Sequence, residues 1–265
     1  SLLQNLKLTT DFYLARGSGS ALHFGRRISL DLYSFSEIPA AVGPVQRSQL
    51  RSALDDPTLE ITYDEDSTFA ASWRGVGVSF FRLNMYPLAQ PTLAVNNVRL
   101  ASVEEIGAMK LAAIINRGTR KDMVDLYFIL QQASLEALFQ VASVKYAKVR
   151  SFPVSAARAL SYFDDAEELP MPQMIDRTSW TKAIGRVVGL SQQTWKSSPA
   201  SKNLPASSSR ASQKRNNALK SPQSRKMKWQ RSNNSSRVKN FSFSVMRALA
   251  QPCSCASRVC TLKCI

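Results

Sequence analysis

No aspartate or glutamate follows Asp176, and that seam constrains the fold of this chain more than any single motif does. Residues 1–176 carry 17 Lys and Arg against all 19 acids, a formal charge of −2. Residues 177–265 carry the other 18 cations and no acid, a charge of +18. From about Gly189 the sequence is dominated by Ser, Asn, Gln, Lys and Arg and loses its apolar periodicity. Such a segment buries too little apolar surface to offset the entropy of ordering it. The expectation is a folded part ending near residue 187 and a disordered, low-complexity basic tail over 188–265.

The pI near 10.0 would ordinarily suggest a nucleic-acid binder, because cations that neutralise phosphates release counterions. Here the inference applies to the tail alone, where Trp195, Trp229 and Phe241 are placed to stack on single-stranded RNA. Nonspecific attraction is the plainer account of those charges. The acid-free composition is also what a shifted reading frame produces, so the coding DNA around codons 187–195 is the cheapest check. Cys253, Cys255, Cys260 and Cys264 all lie in the tail. Their spacing could wrap a zinc ion, but no strand or helix pattern flanks them, so they read as cysteines of an unstructured end. A folded part without cysteine fits a reducing cytoplasm. No run approaches the roughly 18 apolar residues of a membrane span, and Ser1 to Thr10 lacks the layout of a secretory signal. The expectation is a soluble, cytoplasmic protein with no membrane partner.

Within the folded part, Phe12-Tyr13-Leu14-Ala15 reads as a buried strand that stops at a tight turn over Arg16 to Ser20, with a short helix over Ala21 to Gly25. Ile28 to Tyr33 alternates in the strand period, with Ile28, Leu30 and Leu32 on one face and Ser29, Asp31 and Tyr33 on the other. Leu59–Tyr63 and Gly75–Phe81 read as further strands joined by an acidic connection, Asp64 to Arg74, and Pro87 and Pro91 mark a loop. Ser102-Val103-Glu104-Glu105 is a capping box that opens a helix over about 103–117. A second helix starts at Thr119 as N-cap, a third near Ser134, and another covers Val154 to Phe163. Strands first and helices afterwards predict an α+β fold, a small mixed sheet over 1–100 followed by a helical half of the same fold over 101–187.

A phosphate cradle needs close backbone approach and free N–H groups, which Gly17-Ser18 before a helix supplies. A carboxylate that can hold a divalent cation follows at Asp31 on the polar strand face. His23, the only histidine, reads as a packing residue rather than a base. Asp122 reads equally well as a helix-capping acid, and Asp125 as the partner of Arg120 or Lys121.

The stretches Phe12 to Ser18 and Arg27 to Ser36 together resemble the opening of the AbiEii/AbiGii nucleotidyltransferase toxin family. Leu100 to Ile114, continuing through Arg117-Gly118-Thr119-Arg120-Lys121-Asp122 to Tyr127, is similar to its Lys and Arg-Asp helical motifs. Leu160 to Glu167 and the segment near Trp180 resemble its C-terminal helices, so the likeness covers about residues 10–187. The resemblance implies a polymerase-β-like nucleotidyltransferase fold. It also implies a toxin of a bacterial toxin–antitoxin or abortive-infection system, which moves a nucleotide from an NTP to RNA or protein and is restrained by an antitoxin. It places Gly17 and Ser18 at the nucleotide, Asp31 on Mg2+, Lys110 against charge on the phosphates, Asp122 as the residue orienting that site and Arg117 beside Lys110. Lys110, seven residues before Arg117, shares its helix face.

Two departures bear on activity. Arg16 stands where the family usually has a glycine, and Tyr33 stands where its Asp-x-Asp motif has the second aspartate. Positions two apart on a strand share a face, so the motif's metal-chelating pair is reduced to Asp31. The alternative expectation is therefore a degenerate, non-catalytic relative that binds nucleotide or RNA.

Overall fold

A computed structural model describes residues 11–95 and 98–197. The expectations attached to residues 198–265, the disorder and the four cysteines among them, lie outside the described residues.

Seven strands form one mixed sheet in the order β3-β4-β5-β2-β1-β7-β6. They are β1 (Tyr13–Leu14), β2 (Asp31–Ser36), β3 (Glu60–Glu65), β4 (Thr68–Trp73), β5 (Val76–Arg82), β6 (Leu93–Val95) and β7 (Val98–Leu100). Two helices interrupt the strands, α1 (Arg16–Phe24) and α2 (Pro44–Ala53). Six follow them: α3 (Val103–Asn116), α4 (Arg120–Ile129), α5 (Leu135–Lys145), α6 (Phe152–Ala159), α7 (Asp164–Glu167) and α8 (Trp180–Ser197). The architecture is the expected α+β one, with a larger sheet than the sequence suggested. The expected acidic connection between Asp64 and Arg74 is instead a tight turn leading into β4. Its Phe69 and Ala71 are buried on alternate positions, with the part-exposed Ala70 between them.

Two cores sandwich the sheet. Phe12, Leu50, Leu54, Phe69, Val78 and Phe80 fill one side under α2. Tyr13, Phe35, Ile106, Leu126, Ile129 and Leu138 fill the other under α3 to α5. Leu32 packs against the first core and Tyr33 against the second, so the predicted alternation holds from Asp31 on, but the strand expected from Ile28 begins only at Asp31 and Leu30 before it is half exposed. In the parallel β2–β5 pair, Asp31 lies opposite Gly77, Tyr33 opposite Ser79 and Phe35 opposite Phe81. Phe35 and Phe81 stack at 5.3 Å.

The expected turn over Arg16 to Ser20 is absent, because α1 begins at Arg16. Arg16 makes the corner by itself with a left-handed φ of 54°. Gly17, Ser18, Gly19 and Ser20 are poor helix formers, yet all four are buried, and tertiary contact overrides propensity. A Cβ on Gly19 would lie 2.7 Å from Ile106 Cδ1, so a bare backbone is what lets α1 rest on α3.

Only half of the expected capping box forms. Ser102 Oγ accepts from the Glu105 amide at 3.1 Å. The Glu105 carboxylate turns inward instead and pairs with Lys145 Nζ at 2.6 Å, with both side chains fully buried. Lys145 also donates to the carbonyls of Tyr86 and Pro87, and Glu105 accepts from the Ala89 amide. This buried pair fastens the proline-marked loop after β5 onto the helical half.

The expected boundary at residue 187 falls inside α8. Ala183, Ile184, Val187 and Ser191 are buried at helical spacing, and Thr194 donates to Glu136 of α5 at 2.8 Å. A serine rather than a large apolar residue completes that stripe, which is why the segment after Gly189 reads as tail in the sequence. No helix among the described residues is long and apolar enough to cross a membrane.

Candidate nucleotidyl-transfer site

The corner at Arg16 binds α1 to the polar face of β2. Ser18 Oγ donates to the Ala15 carbonyl at 3.1 Å and accepts from the Tyr33 amide at 3.1 Å. Its hydroxyl is thus engaged on both sides, and it fixes the first turn of α1 against the strand that carries Asp31. Gly17 has a steric reason of its own: a Cβ there would stand 3.0 Å from the Arg27 guanidinium.

Asp31 is partly buried and accepts from the Tyr33 hydroxyl at 3.3 Å through Oδ2. Burial and the Asp31 charge both push the Tyr33 phenol above its ordinary pKa, so the phenol stays protonated and donates. Across the sheet, a Cβ on Gly77 would lie 2.4 Å from Asp31 Oδ1. The absence of that atom is what leaves room for the carboxylate.

Behind this face runs a buried ion-pair chain. Arg27 Nε and Nη2 donate to the two oxygens of Asp125 at 2.6 and 2.7 Å. Lys110 Nζ bridges Asp125 Oδ2 at 2.5 Å and Asp122 Oδ1 at 3.1 Å. Arg117 reaches both oxygens of Asp122, at 3.1 and 3.3 Å, and Thr119 Oγ1 donates to Asp122 at 2.5 Å. Burial alone would raise the Asp122 pKa, but Lys110, Thr119 and Arg117 outweigh it and hold the carboxyl far below its usual range. Burial likewise opposes the Arg27 charge, and Asp125 reverses the effect.

The structure brings Lys110 and Arg117 together on Asp122, which comes from the next helix, α4. Asp122 lies in the first turn of α4, where the helix-capping reading put it, and is also fully buried within the chain of ion pairs. Thr119 holds the N-cap position of α4 but spends its hydroxyl on Asp122 instead of on a backbone amide. Asp125 does not pair with Arg120 or Lys121. Arg120 donates to the carbonyls of Ala166 and Glu167 and lies 4.8 Å over the Trp180 ring, while Asp125 serves Arg27 and Lys110. His23 bonds the Ala101 carbonyl at 2.8 Å, and burial lowers its pKa, as suits a packing residue.

Arg27 and Gly77 were not singled out by sequence reasoning. A signal for the chain did exist: Asp122 and Asp125 sit three apart on a helix whose neighbours are Met123, Val124 and Leu126, and acids on an apolar face need buried partners. Nothing local predicts Gly77, because its constraint comes from another strand.

Among the described residues no group of three or more His, Cys, Asp or Glu is placed to hold a metal ion. Asp31 has no second carboxylate on its face, since Tyr33 follows on β2 and Gly77 and Ser79 lie opposite. This donor set does not form a metal site by itself. It suits a Mg2+ that keeps waters and shares phosphate oxygens of a bound nucleotide, a mode that needs one or two carboxylates.

The family described as "Nucleotidyl transferase AbiEii toxin, Type IV TA system" has a model that matches residues 22–203 of this chain. Asp31, Lys110, Arg117 and Asp122 lie within that match, and Arg16 to Ser18 lie just before it. An uncharacterized protein of Aquifex aeolicus (strain VF5), aq_aa25, is 29% identical over 170 residues, covering 62% of this chain and 79% of that protein. JHP933 from Helicobacter pylori superposes with a TM-score of 0.47 at 16% identity, over 83% of this chain and 94% of its own. MenT4, the nucleotidyltransferase toxin Rv2826c from Mycobacterium tuberculosis H37Rv, gives 0.47 at 14% identity, over 79% and 83%.

Proposed function

We propose, from the premise that the chain belongs to the AbiEii nucleotidyl transferase toxin family, that it transfers a nucleotidyl group from a nucleoside triphosphate to a hydroxyl of an RNA or protein acceptor. It is a nucleotidyltransferase-like toxin, and an antitoxin that restrains it in the cytoplasm belongs to the same reading. In the transfer, the acceptor hydroxyl gives up its proton to solvent as its oxygen bonds to the α-phosphorus, the bond from that phosphorus to the bridging oxygen breaks, and pyrophosphate leaves.

Such a reaction depends on positioning and on stabilising charge. Ser18 carries the reading, because its one hydroxyl ties the first turn of α1 to the strand bearing Asp31. Gly17 and the α1 amides then face the polyphosphate through backbone. Asp31 would hold Mg2+, which would supply positive charge against the phosphates. Asp122 orients Arg117 toward the phosphates, and Lys110, locked between Asp122 and Asp125, sets the position of Asp122.

The test uses purified full-length chain with Mg2+ and labelled NTPs. Wild type should transfer label to RNA or protein well above an Asp31→Ala, Lys110→Ala double variant; equal transfer sinks the reading.

One observation favours a second reading, a relative that binds nucleotide without chemistry. The Tyr33 hydroxyl sits on Asp31 where a second carboxylate would complete a metal pair. Tyr33→Asp separates the two: a gain of transfer marks an impaired enzyme, whereas NTP binding with no gain marks a binding protein.

A further inference from the structure

The face beside Tyr33 holds a cation without an acid of its own. Four cations gather in this region. Arg27 and Lys110 share Asp125, and Lys110 and Arg117 share Asp122. The Arg16 side chain makes no ion pair or hydrogen bond among the described residues; its guanidinium lies 5.6 Å over the Tyr33 ring. Its backbone sits at φ 54°, a conformation that costs a residue with a Cβ about 1 kcal/mol.

The placement is electrostatically unfinished. Burial is the first force against the Arg16 charge and Arg117 is the second, and the nearest acid that favours it, Asp122, is already taken by Lys110 and Arg117. A cation–π contact contributes about 0.5–2 kcal/mol and does not replace a counter-ion for a charge withdrawn from water. Arg117 is half exposed and commits only its Nε and one Nη to Asp122, which leaves further N–H donors open. An anion between the two arginines would satisfy both, and planar guanidinium forks match phosphate oxygens.

We propose that Arg16, stacked on Tyr33, and Arg117 form a polyphosphate subsite, so that this chain holds a nucleoside triphosphate even without a divalent cation. This rests on the nucleotidyltransferase reading and extends it: where one carboxylate is left to recruit a cation, a guanidinium supplies charge in its place. Arg16 is then a binding residue, oriented by its stack on Tyr33.

The test measures equilibrium binding of each of the four labelled ribonucleoside triphosphates to the full chain, in Mg2+ and in EDTA. For wild type, at least one should bind in EDTA within about threefold of its Mg2+ affinity, and Arg16→Gly should weaken the EDTA binding by about tenfold, as expected for a lost charge-assisted contact. The glycine relieves the backbone, so its melting temperature should not fall. Arg16→Lys, which keeps charge but not the fork, should lie between and serves as the readout if the glycine variant is poorly folded. Arg16→Gly binding in EDTA within about twofold of wild type overturns the proposal. Wild-type binding that requires Mg2+ also overturns it and leaves the transfer reading standing. Failure to bind any triphosphate in either condition overturns both.

Discussion

Arg27 and Asp125, 98 residues apart in sequence, meet in a two-pronged ion pair at 2.6 and 2.7 Å that ties the approach to β2 onto α4. Both side chains are almost wholly removed from water, and neither has a substitute partner of equal geometry. Asp125→Leu strands Arg27 and should cost about 3–5 kcal/mol in urea unfolding, whereas Arg27→Met leaves Asp125 with Lys110 and should cost less. The double variant should lose clearly less than the sum of the two. Additive losses would show that the pair is not coupled in solution.

Asp122 makes a pH prediction. Its folded pKa is depressed, so the stabilisation is complete above the unfolded value of about 4 and is lost as pH falls below it toward the lower folded value. Urea midpoints measured between pH 6 and pH 2.5 should fall with a slope that Asp122→Asn flattens. The variant should also lose about 3 kcal/mol at pH 7, because Lys110 is left short of a charge. An unchanged acid slope in the variant would assign the acid sensitivity to other carboxylates.

Gly77 separates stability from activity. In Gly77→Ala the new methyl meets a carboxylate that can rotate, so the unfolding free energy should change by less than about 1.5 kcal/mol. Displacing Asp31 by even an ångström should still cut transfer by about 100-fold, since such chemistry depends on placement. Activity near that of wild type would mean that Asp31 is not positioned by this contact.

Gly107, in the middle of α3, behaves in the opposite way. Alanine there gains about 1 kcal/mol of helix propensity. Its Cβ would nevertheless stand 2.4 Å from Leu138 Cδ2, with Ile129 Cγ2 at 3.2 Å, inside the packed core. Overpacking of this kind costs about 1–3 kcal/mol, so Gly107→Ala should lower the thermal midpoint. Gly107→Ala combined with Leu138→Ala should lose less than the sum of the two single losses if the contact is the cause.

Much of the site was legible before any coordinates. The alternation of β2 placed Asp31 and Tyr33 together, and helical spacing placed Lys110 with Arg117. Local pattern decides both, because the repeat of a strand or helix fixes which neighbours share a face. The partners of those residues were not legible. Asp125 has Arg120 and Lys121 nearby in sequence, and only the packing of α4 against α3 and α1 hands it to Arg27 and Lys110 instead.

By itself the sequence determined the order of strands before helices, the polar face of β2, the helix starts at Ser102 and Ser134, and the two departures at Arg16 and Tyr33. Those properties follow from periodicity, capping chemistry and residue identity, which act within a few residues. Only the tertiary structure decided that Arg16 turns the corner into α1, that its guanidinium lies over Tyr33, that Gly77 leaves space for Asp31, and that α8 runs through the expected end of the domain. Each of these depends on contacts between residues far apart in the chain. Close packing, burial of charge and the need to pair it settle such contacts together, so no short stretch of sequence can express them.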